Sequence, residues 1–306
     1  MSVTRGDPNG QPLEKDYSQT GVCSHHSNEG DPIAAHDATS DTGLGRVPTA
    51  RSFSISPELF EKIYLSPATA VKGDLRKTFG NPTPLALVGF VLSLTPLSCE
   101  LMGWRGSGGF GAAGIGSYFF FGGVCMLIGG VLEFILGNTF PFVVFCSYGG
   151  FWLTYGATLQ PSFNAYGAYS PDTSNPAAGL NAASFNASFA FFLLFMALLS
   201  FVFLICALRT NIVFFLIFLF LTPGFALLAA AFWQVANGNV ALAGHIQTAG
   251  GACLFVVSSC GWYIFFAQML AALDFPFQIP VGDLSHIIKG ASQRAKAGGS
   301  TAYSDA

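Results

Sequence analysis

The sequence predicts an all-α membrane protein with six transmembrane helices, preceded by a disordered cytosolic tail. Three observations predict it. Of 306 residues, 52% are hydrophobic and only 9% charged, where a soluble domain carries about 25% charged residues; mean hydropathy is +0.53. Six apolar stretches follow residue 80, each near the roughly twenty residues that cross about 30 Å of hydrocarbon. Lys and Arg gather in the segments that an even number of crossings leaves on one side. The 32 Phe and 36 Gly suit greasy, closely packed helices. A net charge of −3 gives no electrostatic ground for a nucleic-acid partner.

Residues 1–55 are rich in Ser, Thr, Asp, Asn and Gly, with no apolar core of a secretory signal. They read as a disordered cytosolic tail. Residues 56–79 hold a short amphipathic helix and linker. Ser56 can cap that helix, Pro57 suits its first turn, and Leu59, Phe60, Ile63 and Tyr64 share one face. It fits the membrane surface, the bundle or a plain linker equally.

The membrane domain, residues 80–285, opens on FGNPTPLALVGF. Asparagine is a good N-cap and proline suits a helix's first turn, so Asn81-Pro82 starts the first helix. The six spans are expected at Leu85–Trp104, Ile115–Leu136, Phe140–Gln160, Ala187–Leu208, Ile212–Phe232 and Gly250–Ala272. Arg209-Thr210-Asn211 is the whole turn between the fourth and fifth, which is short but feasible. Lys62, Lys72, Arg76, Lys77, Arg209, Lys289, Arg294 and Lys296 fall on one side, and only Arg105 on the other. Both termini are therefore expected in the cytoplasm, with residues 286–306 as a C-terminal tail. The outer connection 161–186 is polar and ends in a formal glycosylation sequon, Asn186-Ala187-Ser188, very near the membrane.

The chemistry the sequence lacks narrows the function. Between Lys77 and Lys289 the only basic residues are Arg105 and Arg209, both placed in loops, as is His245. No cation is available at mid-membrane, no pair of ionisable residues forms a relay there, and no phosphate-binding loop appears. A pump driven by ATP hydrolysis on this chain is excluded. Of the seven cysteines, Cys99, Cys125, Cys146, Cys206, Cys253 and Cys260 lie in apolar runs without a C-x-x-C and read as packing residues. No cofactor or metal is expected.

Gly122-Gly123 with Gly129-Gly130, and Gly149 with Gly156, recur seven residues apart, which is about two helical turns and marks close-packing faces. Tyr148 fits packing or an aromatic constriction of a lumen. Glu133 can snorkel to the interface, cap another helix or sit at a pore mouth; Glu100 reads as interfacial. At the start of the first helix, Asn81 and the free backbone N–H groups either simply cap or hold a small carboxylate without any buried Lys.

NPTPLALVGF resembles the NPxPLxLxGF signature of the acetate uptake transporter family, the succinate–acetate permeases of bacteria and their fungal relatives. Four further motifs follow in order: GxxEFxxGNTF at Gly130 to Phe140, SYGGFWLTYG at Ser147 to Gly156, FALLA at Phe225 to Ala229, and PVGDLS at Pro280 to Ser285. The long polar N-terminal tail and PELFEKIYLSP resemble fungal members. The resemblance implies six helices around a pathway within each subunit, assembly as a homohexamer, and acetate or another small monocarboxylate as substrate, with succinate or ammonium as further candidates. It implies a constriction at Phe90, Tyr148 and Leu221, the last beside a Pro223-Gly224 pair that departs from the family pattern and is placed to bend the helix. Asn81 matches the signature asparagine. The expected function is proton-coupled transport in the plasma membrane, or passage of the neutral acid. Ammonia export and an acetate sensor signalling through the tail, with RSFSIS at 51–56, stand as alternatives.

Overall fold

The computed structural model describes residues 79–284. The polar tail, the helix expected at 56–67 and residues 286–306 lie outside that range. Six helices have the length and apolarity to cross a membrane: α1 Thr83–Leu101, α2 Ala112–Ile135, α3 Thr139–Leu159, α4 Ala183–Ala207, α5 Ile212–Ala236 and α6 Val240–Ala272.

Helix boundaries follow local chemistry. Asn81 Oδ1 accepts a hydrogen bond from the Thr83 N–H at 3.0 Å, so the asparagine serves the first turn of α1 as the sequence predicts. Gly103, at φ 70°, ends α1 before Trp104 rather than after it. The turn after α2 is a Schellman-type closure. Gly137 has φ 79°, and the Asn138 N–H returns to the Glu133 carbonyl at 2.9 Å. Asn211 caps α5 by accepting from the Phe214 N–H at 2.9 Å.

The last span differs most from expectation. α6 begins at Val240, not Gly250, directly after a turn through Gly238 at φ 79°. His245 is therefore helical rather than in a loop. His245, Gln247 and Thr248 dilute the hydropathy of the first three turns and hide them from an apolar-run search. α4 likewise begins earlier than expected, at Ala183, and α5 runs four residues past Phe232. Pro223-Gly224 lies inside an unbroken α5.

α2 is not a uniform helix. Tyr118–Cys125 is wound as a π-helix between α-helical turns. The glycines expected at close contacts make them. A Cβ at Gly122 would stand 2.4 Å from the Trp152 ring, at Gly129 2.8 Å from Ala86 Cβ, and at Gly156 3.1 Å from the Phe119 ring. Packing joins α4 to α5, α5 to α6, α6 to α1, α1 to α2, and α2 to α3. Side chains link α3 to α4: Tyr148 hydrogen-bonds Ser200 at 2.8 Å, and Phe151 stacks on Phe192 with centroids 5.9 Å apart. The six helices thus enclose an interior lined chiefly by α1, α3, α4 and α5.

The PVGDLS motif after α6 folds back on the α4–α5 turn. The Ile212 N–H donates to the Gly282 carbonyl at 2.8 Å and the Leu284 N–H to the Thr210 carbonyl at 3.0 Å. On the opposite face, the loop 160–182 closes with short helical turns. Within it the Ser174 N–H and O–H both bond the exposed Asp172 carboxylate and hold its pKa below the ordinary aspartate value. Asn186 is buried, its side-chain amide donating to the Leu180 and Ala182 carbonyls at 2.9 Å each. The six cysteines described are free.

Candidate functional site

Among the described residues, three cavities follow one another along the interior. The first, nearer the start of α1, is lined by Leu87, Phe90, Tyr148, Phe214, Phe218 and Leu221, among others. Phe90, Tyr148 and Leu221 come from α1, α3 and α5, 58 and 73 positions apart in sequence, and the fold brings all three to one cavity. One to two turns further along α1, α3 and α5, Leu94, Phe151 and Phe225 line a second cavity, joined by Leu193 of α4 and Leu254 of α6. Phe110, Tyr155, Phe189 and Phe232 are shared between the second and a third, which reaches Asn186 and Thr158 under the loop 160–182.

Helical periodicity explains the alignment. Phe90 and Leu94, Tyr148 and Phe151 with Tyr155, and Leu221 and Phe225 are each three or four residues apart, so each helix presents one continuous face. No charged residue lines any of the three cavities. In that order their volumes are about 20, 40 and 20 Å³, on the measure by which one water needs about 10–15 Å³. The path is apolar and narrow in this conformation, and a hydrated ion does not fit it.

Tyr148 is the main polar group of the first cavity, and its hydroxyl is engaged by Ser200. Ser200 also gives its own proton to the Met196 carbonyl at 2.7 Å. The bond between them therefore runs from the phenol to the serine. The aromatic cluster of Tyr148, Phe203, Phe218 and Phe140 packs this region, with centroid separations between 5.7 and 6.4 Å.

Asn81 and Glu133 do not line the cavities. Glu133 is fully buried where α1, α2 and α3 meet. The Thr83 hydroxyl donates to its Oε1, and Asn138 Nδ2 donates to Oε2 at 2.6 Å. Of the three roles open to it, the geometry is that of a tie between the starts of α1 and α3. Sequence reading missed Ser200, a lone hydroxyl inside the apolar run ALLSFVFL whose partner is 52 residues away. It also missed the π-wound turn and Phe110. A Phe in the glycine-rich loop SGGFGAAG carries no signal that it folds inward.

Six membrane-length helices around cavities that no charged residue lines define a multi-pass membrane protein. The chain belongs to the GPR1/FUN34/yaaH family, whose model matches residues 65–286, and this is the acetate transporter family that the five motifs announce. It is similar to Protein alcS of Aspergillus fumigatus, 46% identical over 82% of this chain and 91% of that protein. It is also similar to Acetate permease A of Emericella nidulans, 32% identical over 72% of each chain, and to Ammonia transport outward protein 2 of Saccharomyces cerevisiae, 33% identical over 67% of this chain and 68% of that one. Among solved structures, the bacterial acetate channel SatP aligns with a TM-score of 0.52 at 26% identity, covering 67% of this chain and 99% of that chain.

Proposed function

We propose that this protein passes acetate and related short monocarboxylates across the plasma membrane, as the protonated acid or together with a proton. The supporting observation is the convergence of Phe90, Tyr148 and Leu221 on one uncharged cavity in line with a second. Desolvating a bare carboxylate between such walls, with no cation to pair it, costs several kcal/mol or more. Acetic acid loses only the solvation of one hydroxyl and one carbonyl. The narrow, apolar line of cavities thus favours a weak acid over its anion, and a monocarboxylate over succinate, which brings a second carboxyl group. Relatives named for acetate, and the acetate channel that shares the fold, support the same cargo.

Lys and Arg partition supports an orientation with both termini in the cytoplasm and the loop 160–182 outside. The apolar outward faces of α2 and α4, with Phe120, Phe134, Phe195 and Leu198 exposed, suit lipid or a neighbouring subunit of the homohexamer. A second reading, ammonia export, is favoured by the similarity to the yeast ammonia transport outward protein and by the same uncharged walls, which also admit a small neutral base.

Flux of labelled acetate, succinate and ammonia in proteoliposomes of the purified protein separates these readings. Acetate uptake that rises as external pH falls is the expected result, and Phe90→Ala is expected to admit larger acids. Ammonia flux with no acetate flux would replace the first reading by the second. Acetate uptake indifferent to external pH would remove the neutral-acid route.

A further inference from the structure

Beside the second cavity, on the loop-bearing face, two polar atoms are buried without a partner. One is the Tyr118 hydroxyl, on a side chain only 1% exposed; the other is Oε2 of Glu100, in the last turn of α1. A donor with no acceptor and an acceptor with no donor are each costly when buried, about 1–3 kcal/mol or more. Both are held at one point by the same loop. Gly111 offers its N–H to the Glu100 carboxyl group, and a Cβ at Gly111 would stand 2.5 Å from the Tyr118 hydroxyl and 3.2 Å from that of Tyr155. Gly114 approaches the Tyr118 hydroxyl equally closely. Tyr155 donates to the Phe110 carbonyl at 2.5 Å, and both residues line the second and third cavities. Carboxyl, phenol and cavity wall therefore all meet the same glycine-rich loop, at Phe110, Gly111 and Gly114.

We propose that Glu100, Tyr118 and a water bridging them form a proton relay beside the second cavity, through which acetate receives its proton. One water satisfies both orphaned atoms at once, accepting from the phenol and donating to the carboxyl oxygen. In the step, a hydronium ion of the outer solution gives its proton to the Glu100 carboxylate. The O–H bond of that carboxyl then breaks toward the bridging water, which the Tyr118 hydroxyl orients, and that water passes one of its own protons to a carboxylate oxygen of acetate. Acetic acid forms, the Glu100 carboxylate is restored and no electrons change hands. Of the surrounding elements, α2 contributes Tyr118 and α3 contributes Tyr155. α6 brings Gln247 and Gly251 against Leu101, while its His245 is exposed, as is Arg105. Among the described residues, no Lys, Arg or His is a partner of the Glu100 carboxyl group.

This inference rests on the acetate reading, and its test separates the two. Labelled acetate uptake is measured in proteoliposomes across an external pH series for the wild type, Glu100→Gln and Tyr118→Phe. The wild-type rate is expected to rise as pH falls. Glu100→Gln is expected to flatten that profile, with the acid-side rate reduced about tenfold or more. Tyr118→Phe keeps the ring stacked on Trp152, 5.1 Å away, and deletes only the orphaned hydroxyl. It is expected to fold as well as the wild type, and to lower the acid-side rate by a smaller factor. It carries the test if Glu100→Gln fails to fold. Variant profiles that superpose on a pH-responsive wild type overturn the relay and leave the acetate reading standing. A wild type that carries no acetate at any pH overturns both.

Discussion

Tyr148 meets the first cavity with its ring, because its hydroxyl is spent elsewhere. Ser200 has one proton and gives it to the Met196 carbonyl, so the phenol must donate to Ser200 and turns its polar end toward α4. Ser200 is thus a positioning residue for the apolar wall that Tyr148 forms with Phe90 and Leu221. The two ends of this bond are not equivalent. Ser200→Ala leaves a buried phenol proton with no acceptor and is expected to lower stability by about 1–3 kcal/mol. Tyr148→Phe removes the donor while Ser200 keeps Met196, so its cost is expected to stay within about 1 kcal/mol. Thermal unfolding in detergent compares the two, and a larger loss for Tyr148→Phe would show that the phenol serves a second partner. Tyr148 was legible because it stands in a motif. Ser200 was not, since a hydroxyl's usefulness depends on what the fold places opposite it, and nothing local records that.

At the scale of the element, the signature NPTPLALVGF combines a start signal with a contact. Asn81 and Pro82 set where α1 begins, and both were readable from capping chemistry. Gly89 was not singled out, yet it is where α1 meets the π-wound part of α2: a Cβ there would stand 2.4 Å from the Phe121 carbonyl oxygen. Backbone at that distance does not yield as a flexible side chain does. Gly89→Ala is expected to cost about 1–3 kcal/mol through overpacking. Gly150→Ala, with nothing within 4 Å of its added Cβ, is expected to be tolerated. Melting temperature and the yield of folded protein in detergent decide between them, and equal stability of the two variants would deny the close approach. The glycine pairs of α2 were legible because a regular helix repeats every 3.6 residues. The π turn was not, because that same periodicity was assumed in reading it. The early start of α6 escaped for a different reason: His245, Gln247 and Thr248 are tolerated in a helix near the membrane boundary, where hydropathy alone stops counting them.

At the scale of the whole molecule, an even number of spans places both ends of the described chain on one face, and the PVGDLS segment secures that face by bonding to the α4–α5 turn. The proposed orientation puts that face in the cytoplasm and the loop 160–182 outside. Two asparagine positions test that assignment. The native sequon at Asn186 is sterically closed, since its amide is buried and committed to two backbone carbonyls. Asp172→Asn creates the sequence Asn-Thr-Ser at an exposed position in the same loop. Expressed through a eukaryotic secretory pathway, the wild type is expected to run as a single unglycosylated species, and Asp172→Asn is expected to gain one glycan removable by endoglycosidase. A glycan on the wild type would contradict the burial of Asn186. A glycan acquired instead by a sequon placed in the N-terminal tail, with none on Asp172→Asn, would invert the molecule in the membrane. Glu100 and Tyr118 would then lie on the cytoplasmic side, and the relay would release protons from acetic acid as it arrived rather than supply them to acetate as it entered.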